Sequence, residues 1–262
     1  MSSTLRCLRV LELLAEEPFE MGISELAAAL KCPSSSVHRL CATLVKANLI
    51  GSDTSTKRYR LSPKALWIGS GYLRHSEVYR AAFFCIQDLV KNVPGTVQLG
   101  VYDEGWVQFI YSIGYPGSTD AFADVGLRRP LHATASGKLF LAEMTDEEVR
   151  KFMSRSLHQF TNKTIVSFER MKKELAEIAN RGYALNNEEL LPGYAVVAAP
   201  FFGRSNKIAA AISATIPVPE MHKDAASETH YINLVREAAH RASLQLGHRP
   251  LTRPRLNTTR VR

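Results

Sequence analysis

The stretch "ISELAAALKCPSSSVHRLCATLVKANLI", residues 23–50, limits the fold more than any other part of this chain. Ile23, Leu26, Ala27 and Leu30 recur at helical spacing, and Ser24 is placed to cap that segment. Pro33 stops it, because proline has no N–H to donate and its ring clashes with the turn before it. A second helix begins among Ser34, Ser35 and Ser36 and runs to Ala47, with Val37, Leu40, Cys41, Leu44 and Val45 as its apolar stripe. Asn48 follows as a left-handed stop. On a helical wheel Ser35, Arg39, Ala42 and Lys46 point away from that stripe, with Ser36 and Thr43 beside them. This outer face is slim, free of acids and dense in donors suited to phosphates and base edges. Serines at a helix start also leave backbone N–H groups aimed outward, which suits an anion.

What precedes and follows gives the pair a context. Residues 4–16 read as an amphipathic helix, with Leu5, Cys7, Leu8, Val10, Leu11 and Leu14 as its stripe. In "LIGSDTSTKRYRLSP", Leu49–Gly51 and Arg58–Leu61 flank a polar turn, a hairpin signature. Helix, tight turn, helix and a hairpin tipped by Lys57 and Arg58 form a winged helix-turn-helix layout. In that layout the second helix enters the major groove and the wing follows the backbone. The candidate DNA contacts are Ser34, Ser35, Ser36, His38, Arg39, Thr43 and Lys46 on the helix, with Lys57 and Arg58 on the wing. The competing reading is an ordinary solvated helix with ordinary caps.

Charge adds to this only through its location. The formal net charge is +8, yet residues 1–62 hold eight Lys/Arg against six Asp/Glu. Five arginines and no acid stand in "HRPLTRPRLNTTRVR", a tail from His248 expected to be disordered. Within the first segment, acids precede residue 31, while Lys31, Arg39, Lys46, Lys57, Arg58 and Arg60 face Asp53 alone. No window reaches the roughly 18 apolar residues of a membrane span. The glutamates in the N-terminal stretch argue for a helix and against a signal peptide. Cys7, Cys32, Cys41 and Cys85 form no CxxC pair, which points to a reducing, cytoplasmic setting with no disulfide framework, metal site or cofactor.

The chain divides into residues 1–62, a linker helix at 63–75 opened by Ser62-Pro63, a second domain at 76–247, and the tail at 248–262. The second domain alternates differently. A helix is expected over 76–92, two strands around the Asp103-Glu104-Gly105 turn over 96–114, and a helix from about Ala133. Thr145 and Glu148 hold capping-box positions, and a further helix ends at Gly182. The strands "YAVVAAPFF" and "IAAAISATIP" follow, then a last helix over about 224–246. Strand pairs broken by helices without a βαβ rhythm indicate an α+β domain with a mostly antiparallel sheet. Gly137, in the "ATASGK" stretch that opens a helix, permits close backbone approach, and the free N–H groups there suit a carboxylate. Ser213 and Thr215 share one face of an apolar strand, which is unusual unless they are hydrogen-bonded or face a ligand.

Catalysis finds little support. "ASGK" lacks the spacing and following hydroxyl of a phosphate loop, and no GxSxG or HExxH occurs. The adjacent acids Glu188 and Glu189 read as solvated, and Cys85 as a buried inert thiol. A small-molecule enzyme built on the second domain is therefore the alternative and not the leading reading.

Two groups of motifs resemble the IclR family of bacterial transcriptional regulators. These are residues 23–50 with "YRLSPKALWIG", and then "RRPLHATASGKLFLAEM", "RGYALNNEELLPGYAVVAAPFF" and "AAAISATIP". The resemblance spans about residues 4–247. It implies a winged helix-turn-helix joined by a helix to a GAF-like effector-binding domain, working as a homodimer or dimer of dimers on a double-stranded DNA operator. It also implies an effector pocket lined by Ala135, Ser136, Asn186, Val196, Ser213 and Thr215. Asn186 stands where members often carry an acid, and Val196 where some carry a cysteine. A carboxylic acid, lactone or aromatic catabolite is the family expectation for the ligand, and a repressor the expected sign.

Overall fold

Helix α1 (Ser3–Ala15) opens the first of two units, which meet at His75 and Ser76 in this computed structural model; residues 2–16, 18–114 and 125–249 are described. Strand β1 (Glu20–Met21), α2 (Ile23–Leu30) and α3 (Ser34–Lys46) follow, then β2 (Ile50–Ser52), β3 (Tyr59–Leu61) and α4 (Pro63–His75). Val10, Leu14, Leu26, Leu30, Val37, Leu40, Cys41, Leu44 and Ile50 form one core, so α1 closes the back of the α2–α3 pair. Asn48 takes the left-handed conformation at φ 57° and turns the chain from α3 into β2. The three strands order as β1-β3-β2, all antiparallel.

Three details of this unit differ from the sequence reading. Ser24 lies inside the first turn of α2. The cap is Gly22, whose N–H donates to the Glu25 carboxylate at 2.6 Å. The two-residue strand β1 delivers extended backbone right up to Gly22, so the helix begins earlier than the serine suggests. Val45 is 39% exposed and takes no part in the core, and Leu5 and Leu8 on α1 are also exposed. A three-helix core covers a narrower arc than a stripe of five or six apolar positions offers.

The second unit begins with α5 (Glu77–Leu89) and one 3-10 turn (Val90–Asn92), followed by β4 (Thr96–Asp103), β5 (Trp106–Gly114) and β6 (Arg128–Pro130). Helices α6 (Ala135–Ala142), α7 (Asp146–Met153) and α8 (Phe168–Arg181) come next. Strands β7 (Ala184–Asn187), β8 (Tyr194–Phe202) and β9 (Ile208–Pro217) lead to α9 (Val218–Met221) and α10 (Ser227–Gln245). The six strands form one antiparallel sheet in the order β6-β5-β4-β9-β8-β7. Strands β8 and β9 are buried almost throughout, which is why they read as continuous apolar runs and not as alternation. Helices α6 and α8 share a core with Ala198 of β8 and Ala211 of β9.

The expected capping box is present: Thr145 Oγ1 accepts from the Glu148 N–H and Glu148 Oε2 from the Thr145 N–H. Two expectations change. His248, assigned to the tail, is buried: its ring stacks on Phe202 at 5.3 Å and its N–H donates to the Ser243 carbonyl at 2.9 Å. The rest of the arginine-rich tail, from residue 250, lies outside the described residues. Glu189, read as solvated, is buried against Lys138, itself 1% exposed.

Candidate DNA-binding face and ligand cavity

Helix α3 presents Ser34, Ser35, His38, Arg39, Ala42, Thr43, Val45 and Lys46 to solvent and keeps Ser36 half-buried. Pro33, in the extended region, precedes the helix, and no side chain caps it. The carbonyl of Pro33 accepts from Ser36 and Val37, so the N–H groups of Ser34 and Ser35 are without an intrahelical acceptor. The Thr43 hydroxyl turns inward and donates to the Arg39 carbonyl at 3.0 Å. Lys31, Arg39, Lys46 and Lys57 enter no ion pair among the described residues. Their charges are left to meet an external anion.

The wing is a built turn. Asp53 Oδ1 accepts from the Ser55 hydroxyl at 2.5 Å, the Ser55 N–H at 2.8 Å and the Thr56 N–H at 3.0 Å. The Ser55 hydroxyl, then the two backbone donors, hold the Asp53 carboxyl down at about 2. Lys57, at φ 55°, stands at the tip with an exposed side chain. Arg58 is arranged differently. Its guanidinium pairs with Glu25 at 2.9 Å and Glu20 at 3.1 Å, and donates to the Glu20 carbonyl at 3.1 Å. It ties the wing to the start of α2, and two carboxylates already compensate its charge. Of the two wing cations named from sequence, Lys57 is the one left uncompensated.

In the second unit a small cleft lies over the N-terminus of α6. Thr134 caps that helix: its Oγ1 accepts from the Gly137 N–H at 3.1 Å and donates to the Pro130 carbonyl at 3.0 Å. The N–H groups of Ala135 and Ser136 are the helix's free donors. Ala135, Ser136, Asn186, Val196 and Ser213 line the cleft as the sequence suggests. The hydroxyls of Ser136 and Ser213 are buried and have no hydrogen-bond partner among the described residues. Phe109, Leu190, Leu191 and Tyr194 supply apolar walls, and Arg129 a cationic one.

Three expected roles shift. Thr215, on the Ser213 face of β9, is not among the lining residues. The Asn186 amide is occupied, with Nδ2 donating to the Ala133 carbonyl at 2.5 Å and Oδ1 accepting from the Glu189 N–H at 3.0 Å. It fixes the β7–β8 loop to the α6 entrance and leaves at most one N–H for a ligand. Gly137 is required by this chain's own backbone, because a Cβ there would lie 2.3 Å from the Leu131 carbonyl oxygen. Arg129 was legible only as a cation beside a proline, and Phe109 only as a strand residue. Neither carried a signal that it reaches this cleft.

A winged helix with an uncompensated cationic face, in a chain whose other unit holds a small polar-floored cleft, has the layout of a two-domain DNA-binding regulator. Two family models match the chain: "IclR helix-turn-helix domain" over residues 3–54 and "Bacterial transcriptional regulator IclR C-terminal" over residues 70–244. The chain belongs to the IclR family, whose members are DNA-binding transcriptional regulators and not enzymes. It is 29% identical over 248 residues to the HTH-type transcriptional regulator KdgR of Dickeya chrysanthemi, covering 94% of this chain and 80% of that one. It is 28% identical to the transcriptional repressor IclR of Escherichia coli, covering 94% and 90%. Among solved structures, an IclR regulator from Alicyclobacillus acidocaldarius superposes with a TM-score of 0.83 at 25% identity, over 94% of this chain and 98% of that one. An IclR homologue from Microbacterium hydrocarbonoxydans complexed with 4-hydroxybenzoate superposes with a TM-score of 0.80 at 24% identity, over 94% and 99%. The latter speaks for the fold alone.

Proposed function

We propose that this protein is a cytoplasmic, effector-controlled repressor of a catabolic operon, with operator affinity switched by a small carboxylate bound over α6. One observation carries the effector reading: Ser136 and Ser213 bring to one cleft at a helix N-terminus two buried hydroxyls that have no partner among the described residues. Leaving such groups unsatisfied costs about 1–3 kcal/mol each, so a ligand that accepts from them gains that much. The free N–H groups of Ala135 and Ser136 favour an anionic oxygen, and the apolar walls favour a carbon skeleton behind it. The 4-hydroxybenzoate held by the Microbacterium homologue is an aromatic carboxylate of this kind.

The regulator works by linkage: a ligand preferring one geometry of the dimer changes operator affinity by its differential binding energy, commonly ~1–3 kcal/mol. A homodimer is supported by apolar side chains that the first unit leaves in solvent. Leu66, Trp67, Ile68 and Tyr72 on α4, with Leu5 and Leu8 on α1, are all more than half exposed. Among the described residues no helix is long and apolar enough to cross a membrane.

A thermal-shift panel of short and aromatic carboxylates, 4-hydroxybenzoate among them, tests the effector site. A stabilising compound is expected to lose about tenfold in affinity on Ser213→Ala, and to change operator retention in gel shifts. A compound that binds equally well to Ser136→Ala and Ser213→Ala would remove the cleft as its site. On the DNA side, Lys57→Ala is expected to weaken binding to all sequences alike and to flatten the log–log salt slope by about one unit per protomer. An unchanged slope would take Lys57 off the phosphates.

A further inference from the structure

We infer that α3 reads its operator through a guanine contact and a patch of methyl groups, so that thymine 5-methyls carry the rest of the sequence preference. This rests on the reading that α3 enters the major groove.

In that groove each base asks for a different partner. Adenine is read by a paired donor and acceptor on one amide, the cytosine amino group by a carboxylate, guanine by two donors, and thymine by apolar contact with its methyl. The exposed positions of α3 include no Asn, Gln, Asp or Glu, so the amide reader of adenine and the carboxylate reader of cytosine are absent from it. Arg39 is the two-donor fork, exposed and without an ion pair among the described residues, and it suits guanine O6 and N7. His38 offers one ring N–H and one acceptor nitrogen, so it discriminates little, and Lys46 at the helix end suits a phosphate. The hydroxyls of Ser34 and Ser35 discriminate little, since a hydroxyl donates or accepts with any base.

What remains on that surface is methyl groups. Ala42 lies one turn from both Arg39 and Lys46, at the centre of the outward face. Thr43 is beside it. With its hydroxyl proton committed to the Arg39 carbonyl, Thr43 has no donor to offer and brings an acceptor oxygen and its γ-methyl. Val45 is exposed on the opposite flank, where the core does not use it. A single exposed valine needs no explanation. Three methyl-bearing positions, a committed threonine hydroxyl and no amide or acid on the same helix together leave methyl contact as its main means of telling bases apart beyond Arg39.

The test uses the full chain and two random duplex pools, one made with thymidine and one with deoxyuridine, which lacks only the 5-methyl. Selection from the thymidine pool is expected to enrich a site with guanine and neighbouring thymines. From the deoxyuridine pool the guanine should persist while the neighbouring preference flattens. In the enriched site, uracil at the contacted thymine should weaken binding about fourfold, the effect of one buried methyl. Thr43→Val, which keeps the methyl and removes the hydroxyl, should retain that discrimination. Thr43→Ser, which does the opposite, should bind thymine and uracil forms more nearly alike. Identical motifs from both pools, or a Thr43→Ser protein that discriminates as well as the unaltered one, would overturn methyl reading and leave DNA binding in place. Enrichment from neither pool would overturn both.

Discussion

Lys138→Met is expected to destabilise the second unit by about 3–5 kcal/mol, a large share of a domain's stability. Lys138 is 1% exposed. Its ammonium donates to the Leu185 carbonyl at 3.1 Å, pairs directly with Glu189 Oε1, and lies 3.7 Å from Glu174. Methionine fills similar space without charge, so packing changes little while the buried Glu189 loses its direct ion-pair partner and keeps only the weaker pull of Arg170. Glu189 Oε2 already has no partner among the described residues. Burial pushes the Glu189 carboxyl above the ordinary glutamate range, against the lowering pull of Lys138. A carboxyl raised in the folded state favours folding below its unfolded pKa, and that contribution is lost as pH rises through the folded value. The deficit of Lys138→Met should therefore be greatest near neutrality and shrink in acid, where Glu189 can protonate. Urea unfolding of the full chain, followed through Trp106, measures it. The double variant Lys138→Met with Glu189→Leu removes both charges and should recover most of the loss. If it does not, the unpaired charge was not the cause.

Arg39→Ala should leave stability within about 0.5 kcal/mol, because the side chain is exposed and holds nothing else. Specific operator binding should fall by about 1–3 kcal/mol at each half-site, roughly 5- to 150-fold, with a smaller change on unrelated DNA. That division separates a base contact from a phosphate contact, for which specific and non-specific binding fall together. Quantitative gel shifts on an enriched site and on a scrambled one read it directly. Equal losses on both duplexes would make Arg39 a backbone contact and remove guanine reading from α3.

Both variants concern residues that the sequence marks with unequal clarity. Arg39 was legible because the pattern that marks it is local: in a helix, Val37, Cys41 and Leu44 face one way and positions 35, 39, 42 and 46 the other, whatever surrounds them. The same locality made the α2–turn–α3 unit, the β4–β5 hairpin and the Thr145 box readable. Lys138 was not legible. A lysine in "ASGKLFL" looks like the solvated side of a helix, and its burial depends on Glu189, 51 positions later in the chain. Strands β1, β6 and β7, of two to four residues, escaped for a related reason: they are too short for a period and exist because another strand pairs with them, distant in the chain for β1 and β6 and the next one along for β7.

The chain's own sequence determined most of the helices and the long strands, where most of them stop, and which face of α3 stays polar. Those properties follow from interactions between near neighbours along the backbone. Only the tertiary structure decided that Arg58 braces the wing, that Asn186 is already occupied, that Leu66 and Trp67 lie in solvent, and that two serines share one cleft. Each of these depends on which remote atoms come within a few ångströms, and the folded packing sets that where neighbour-to-neighbour pattern cannot.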